Sequence, residues 1–293
     1  MTAEADESEI EASRAPLMDH LVELRARLIT CSAALALGFG LCFYFSTDIY
    51  KVLLVPFERA QGLLTLQAAT AGHRGSFDMV LALVGLKALP MNPNSTIHLV
   101  YTAPLEFFFT KVKLAGFGAI VVTFPVLAFQ LYRFVAPGLY KQERRAFLPF
   151  LSASPVLFVM GASLVYFIML PFVLWFSLSQ QIGGPGGVSV QLLPKVSDYL
   201  DLVTALLLAF GLCFQLPVVL ALLGLAGIVN SKFLASGRRY AIVGVFVVAA
   251  ILTPPDPVSM MTLAIPGVLL YEISIWCVWL IELRRKRADQ AAA

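Results

Sequence analysis

The chain has 293 residues, 59% of them hydrophobic and only 13% charged, with a mean hydropathy of +0.84. Soluble domains sit near 45–50% apolar and about 25% charged, so an ordinary soluble domain is excluded and an integral membrane protein is indicated. A net charge of +3 is no footprint for nucleic acid. The cysteines Cys31, Cys42, Cys213 and Cys277 lie in apolar runs without CxxC or metal-ligand spacing. They read as small buried hydrophobes, and no cofactor or metal is called for.

The first eleven residues carry five acids, Glu4, Asp6, Glu7, Glu9 and Glu11, and no base. A secretory signal needs a basic start, so residues 1–16 are expected to be a disordered acidic tail. A spanning helix needs about 20 mainly apolar residues. Six runs approach that, over about 28–47, 112–135, 147–176, 199–226, 239–252 and 259–281. The third is long enough to tilt. The fifth contains the 13-residue stretch YAIVGVFVVAAIL. It reaches about 20 Å, less than the roughly 30 Å hydrocarbon core, so the bilayer thins there or neighbouring protein shelters its ends.

The first outer loop, about 48–111, holds the apolar stretch DMVLALVGLKALP at 78–90. It is too short to span, and is expected to lie along the outer interface or to cap the helices. The second outer loop is rich in Gly and Pro, and the third, TPPDP, is minimal. The segments at 14–27, 133–145, 232–239 and 284–287 carry twice the Lys and Arg of the opposite side. Both termini are therefore expected in the cytoplasm, with 284–293 a basic tail. Pro125, Pro149, Pro155, Pro171, Pro217 and Pro266 punctuate the spans. Each interior proline removes a backbone hydrogen bond and kinks its helix. Kinked helices of unequal length suit a curved, concave wall, and no internal repeat favours an inverted-repeat transporter.

Taken as a helix, MDHLVELRARL (18–28) puts Leu21, Leu24 and Leu28 on one narrow arc. His20, Glu23 and Arg27 form an adjoining polar stripe, and Arg25 falls on the opposite flank. One reading is a positive-inside anchor with an i,i+4 Glu–Arg pair; the other is that Glu23 receives a cationic ligand. A second acid, Glu143, stands among the bases of RFVAPGLYKQERR.

Within the spans, Gln215 needs a partner, either a helix–helix hydrogen bond in the chain or a polar residue on another protein's helix. Thr253 is its expected companion. Glu272, midway along the sixth span, should face inward, be protonated or meet a partner; a structural or assembly role outweighs a proton relay. Glu106 has Lys111 and Lys113 near enough for a surface pair. Asp256 can cap the sixth helix.

Four stretches make the chain recognisable: HLVELRARL (20–28), FVAPGLYKQERR (134–145), FGLCFQLPVV (210–219) and LTPPDP (252–257), in this order between six spans. Together they closely resemble the TatC family of the twin-arginine translocase, from about residue 17 to 283. The resemblance implies an all-α, six-span, non-enzymatic receptor core in a bacterial cytoplasmic (inner) membrane. Such a core binds twin-arginine signal peptides of folded precursors. It self-associates and works with single-span partners of the TatA and TatB kind, and uses the proton motive force rather than ATP.

The resemblance further implies that Glu23 and Glu143 contact the paired arginines, with Arg25 and Phe134 supporting the site. Pro56, Tyr166 and Asp256 match positions on which family function depends. Many members carry Glu where this chain has Gln215. The chemistry agrees, because a guanidinium fork pairs bidentately with a carboxylate and lysine does so poorly. Glu23 shares its stripe with Arg27, so a resting pair there would have to exchange one guanidinium for another.

Two other classes compete. A small-solute transporter or channel needs several polar residues facing one another at mid-membrane, where Gln215 and Glu272 are the strong candidates. A membrane enzyme needs a nucleophile with its base, a Walker loop or H-E-x-x-H, and none is present.

Overall fold

A computed structural model describes residues 3–69, 99–135, 144–181, 193–252 and 257–292. Their regular structure is helical: α1 (Ala3–Tyr44), α2 (Ser46–Ala69), α3 (Glu106–Val135), α4 (Arg144–Leu164), α5 (Leu170–Ser179), α6 (Val196–Cys213), α7 (Leu216–Leu225), α8 (Ser231–Ser236), α9 (Arg238–Leu252) and α10 (Pro257–Ala292). A π-helical turn, Val165–Met169, joins α4 to α5. Among the described residues the nearest thing to a strand is one isolated bridge, Val100 to Lys195.

Five segments are long and apolar enough to cross a membrane: Leu21–Tyr44, Glu106–Arg133, Ser152–Ser179, Val196–Leu225 and Leu263–Arg284. They correspond to the first, second, third, fourth and sixth expected spans. The fifth, α9, has 15 residues and is too short to qualify alone. Helix α1 is described from Ala3, within the acidic stretch 1–16. Ala and Glu are good helix formers, and acids near a helix start meet its dipole favourably. The 78–90 stretch lies outside the described residues.

Two prolines shape the spans. Pro171 has no N–H for the carbonyl four residues back, and the chain absorbs this with the π turn just before it. There the Leu170 N–H donates to the Val165 carbonyl. Pro217 stands at the start of α7 and breaks the fourth span. At the break the Gln215 N–H donates to the Leu212 carbonyl at 2.9 Å, three residues back rather than four.

α1 packs chiefly on α3, α2 on α5, α4 on α6, and α10 on α7 and α9. The α4–α6 contact depends on two glycines. A Cβ on Gly211 would sit 2.5 Å from the Phe158 ring, and one on Gly161 would sit 2.8 Å from the Phe214 ring and the Phe210 carbonyl. Small residues bring membrane helices close where no hydrophobic force acts between helix and lipid. Phe158 also stacks on Phe124 of α3, centroids 4.0 Å apart. The main core gathers Val165, Met169, Leu170, Val203 and Leu206, all fully buried.

Candidate functional site

The amphipathic start of the first span places Glu23 and Arg27 one turn apart on α1, where they form an ion pair. Arg27 is the deeper partner, its side chain 13% exposed against 37% for Glu23. Its Nη1 reaches across to α3 and donates to the Gln130 carbonyl at 3.3 Å. Its Nε is buried without a hydrogen-bond partner among the described residues. Arg25 is exposed and lines an apolar groove with Leu21, Leu28, Ile29 and Ser32. The two arginines thus face different ways, as helical spacing requires. Phe134 lies in the last turn of α3, one turn beyond Gln130; its side chain, like Glu143, Thr253 and Asp256, lies outside the described residues.

Pro56 and Tyr166 meet at one atom. Pro56 is buried inside α2 and has no N–H to offer the Val52 carbonyl four residues back. Tyr166, in the π turn, donates its hydroxyl to that carbonyl at 2.7 Å. Next along α2, the Leu53 carbonyl accepts from the Tyr199 hydroxyl at 2.5 Å. Arg59, also on α2, lies over the Phe167 ring at 5.1 Å. The proline leaves the Val52 carbonyl without its helical donor, and the Tyr166 hydroxyl supplies one.

Gln215 is 6% exposed at the α6–α7 break. Its Oε1 accepts from Ser154 Oγ at 2.7 Å, and its Nε2 donates to the Ser154 carbonyl at 2.9 Å. The Tyr132 hydroxyl donates to the same Ser154 Oγ at 3.4 Å. Ser154 is fully buried, so a polar cluster links α3, α4 and the break. Both ends of the amide are thus used inside the chain. The expected companion, Thr253, lies outside the described residues. Ser154 and Tyr132 escaped the sequence reading: a lone serine in an apolar run carries no signal until its facing helix is known.

Glu272 meets a partner, Arg238 at the start of α9, at 3.0 Å. Further along α10, Glu282 accepts from the Ser231 N–H at 2.8 Å and the Ser231 hydroxyl at 2.6 Å. The expected pairing of Glu106 with Lys111 or Lys113 is corrected. Glu106 accepts from the Thr102 N–H at 2.7 Å and the Ser197 hydroxyl at 2.7 Å. Lys113 pairs with Asp201 of α6 at 2.9 Å, and Lys111 lies over the Phe107 ring. Charge proximity in sequence lost to reach between helices.

These features define a multi-pass helical membrane protein in which Gln215 and Ser154 are hydrogen-bonded between helices and Glu23 and Glu272 are held in ion pairs. Comparison with known proteins makes this specific. Residues 19–266 match the family model for the Sec-independent protein translocase protein (TatC), and the chain belongs to that family.

A Sec-independent protein translocase protein TatC from Magnetococcus marinus is 41% identical over 280 residues, covering 96% of this chain and 89% of its own. The Aquifex aeolicus counterpart is 34% identical, covering 94% and 100%. That of Escherichia coli K12 is also 34% identical, covering 89% and 87%. A crystal structure described as the twin arginine translocase receptor TatC superposes with a TM-score of 0.66 at 34% identity. The match covers 89% of this chain and 98% of that one. The family is a protein translocase component.

Proposed function

We propose that this chain is the receptor core of a twin-arginine translocase, capturing signal peptides of folded precursors at the cytoplasmic face of a bacterial inner membrane. Glu23 and Glu143 take the paired arginines, with Arg25 and Phe134 supporting the site. Export then proceeds with single-span partners of the TatA and TatB kind, in a larger assembly driven by the proton motive force. The observation that carries this reading is that Glu23 already holds a guanidinium, that of Arg27. A carboxylate so placed is matched in charge and reach to an arginine guest. Two such acids favour an arginine pair over general cation binding, because the surrounding bases repel loosely held peptides.

The membrane topology in this reading has six crossings within a domain over 17–283, with both termini cytoplasmic. The Ser231–Glu282 bonds support it by tying the start of α8 to the distal part of α10. Pro257, at the other end of α10, is 25 residues away from Glu282, or about 37 Å. The chain returns over that distance between residues 231 and 257, and α9, about 22 Å long, is the crossing in this reading. The Arg238–Glu272 pair fits the same antiparallel register.

Among the remaining residues, Pro56 and Tyr166 act in shaping the outer end of the wall, and Gln215 in shaping the α6–α7 break against which partners assemble. Glu272 sets the register of α9, and Thr253 and Asp256 act at the outer α9–α10 turn. Peptide binding to the full chain in detergent tests the central assignment. Glu23→Gln and Glu143→Gln each weaken capture of a twin-arginine peptide, and normal capture by the double variant would refute it.

A further inference from the structure

Between α3 and α4 lies an apolar groove of about 270 Å³, lined by Phe117 and Val121 of α3, by Phe158, Val159 and Ser163 of α4, and by Phe167 of the π turn. Phe158 is buried, whereas Val159 and Phe167 are about half exposed, so the groove opens toward lipid. Arg59 of α2 lies over the Phe167 ring at 5.1 Å. It is half-buried, and its sequence neighbour Glu58 is exposed. Among the described residues no carboxylate forms an ion pair with Arg59. A guanidinium held over a ring face still presents N–H donors to an anion.

Depth selects that anion. Arg145 stands in the first turn of α4, where a basic residue marks a membrane surface. Phe167 lies about 33 Å further along the same span, close to the roughly 30 Å hydrocarbon thickness. Arg59 is therefore at the opposite interface, level with lipid phosphates. Arg133, in the last turn of α3, gives the same level, because Val121 and Phe117 lie about 18 and 24 Å from it along the helix. The groove thus runs from mid-bilayer, at Val121 and Phe158, to just beneath that interface. From Phe158 to Phe167 it measures about 14 Å, the depth of one leaflet's chains at half of roughly 30 Å.

We propose that this groove holds one acyl chain of a membrane phospholipid whose phosphate sits on Arg59. The guanidinium fork takes two phosphate oxygens, and the chain fills the apolar walls below it. A helix about 10 Å across and as long as the groove occupies roughly 1,000 Å³, several times the space present, so a partner helix would rest on the rim rather than enter. The lipid lies in the leaflet opposite Arg145, whichever face is cytoplasmic. It closes the gap between α3 and α4 and gives Arg59 its counter-charge.

The test titrates the full-length protein in detergent with phosphatidylglycerol and counts bound lipid by native mass spectrometry after loosely held lipid is stripped. Thermal melting reports that each variant is folded. Wild type retains one lipid. Arg59→Gln weakens retention by about tenfold or more, the loss of a charge-assisted bond, and Arg59→Lys, which keeps the charge but loses the fork, weakens it by less. Ser163→Phe fills the groove without altering Arg59 and also lowers retention. Val159→Trp, at an exposed position on the wall, supplies that result if the phenylalanine variant does not fold.

Unchanged retention in a folded Arg59→Gln protein overturns the proposal. Loss in Arg59→Gln with none in a folded groove-filling variant also overturns it, by reducing the site to a charged patch. So does displacement of the lipid by an equal concentration of the same headgroup without chains, the mark of a plain anion site. Groove-filling variants that keep the lipid but lose the single-span partners would assign the groove to a partner helix instead, and that too overturns it.

Discussion

The Val52 carbonyl offers a sharp test of how this chain tolerates a proline inside α2. Tyr166→Phe deletes the hydroxyl that donates to it at 2.7 Å and leaves the ring in place. Pro56 provides no N–H there, so the carbonyl loses its donor from the π turn. Losing a hydrogen bond at this exposed carbonyl costs about 0.5–1.5 kcal/mol. For a chain of this size each kcal/mol lowers the melting temperature by about 2–4 °C. In a Pro56→Ala background residue 56 regains an N–H, and Val52 recovers its own helical bond. Tyr166→Phe should then cost about 1 kcal/mol less. The assay is a double-mutant cycle by thermal unfolding of the purified protein in detergent. If Tyr166→Phe costs the same in both backgrounds, to within about 0.3–0.5 kcal/mol, the hydroxyl does not compensate for the proline and the reasoning fails.

Three further outcomes follow from the packing. Gln215→Leu removes the acceptor of the buried Ser154 hydroxyl and the donor to the Ser154 carbonyl, and destabilises the chain by about 1–3 kcal/mol. It lowers recovery of single-span partners more than peptide binding; unchanged co-purification together with an unchanged melt would contradict this. Gly211→Ala pushes a methyl to 2.5 Å from Phe158, separating α4 from α6 at a cost of about 1–3 kcal/mol, read in the same melt, and an unchanged melting temperature would contradict it. Glu272→Ala removes the partner of Arg238, a partly exposed pair of a kind worth up to about 1 kcal/mol. The melting temperature should fall by no more than that allows, and Arg238→Ala added to the same chain should cost little more; a large further loss would contradict the pairing.

Much of this architecture was legible in sequence because lipid demands long apolar runs and a proline marks its own break. Five of the six runs form helices long enough to cross, and the break at Gln215 falls where Pro217 dictates. The Glu23–Arg27 pair was legible because i,i+4 spacing is a local property. Contacts between distant segments were not. Ser154 gave no hint that it faces Gln215, and no periodicity joins Tyr166 to a carbonyl in α2. Glu106 was matched to lysines near it in sequence, whereas Lys113 reaches Asp201 on another helix. Pro56 and Tyr166 drew attention separately through family resemblance, and the backbone bond between them supplies the physical link.

The central claim is that two separate acids each take one arginine of a signal peptide. Site-resolved cross-linking tests it most directly, with a photoreactive group next to each arginine of a bound peptide. The account predicts adducts around residue 23 from one position and around residue 143 from the other, both lost when paired lysines replace the arginines. Adducts confined to other segments, or equal capture of the lysine peptide, would contradict it.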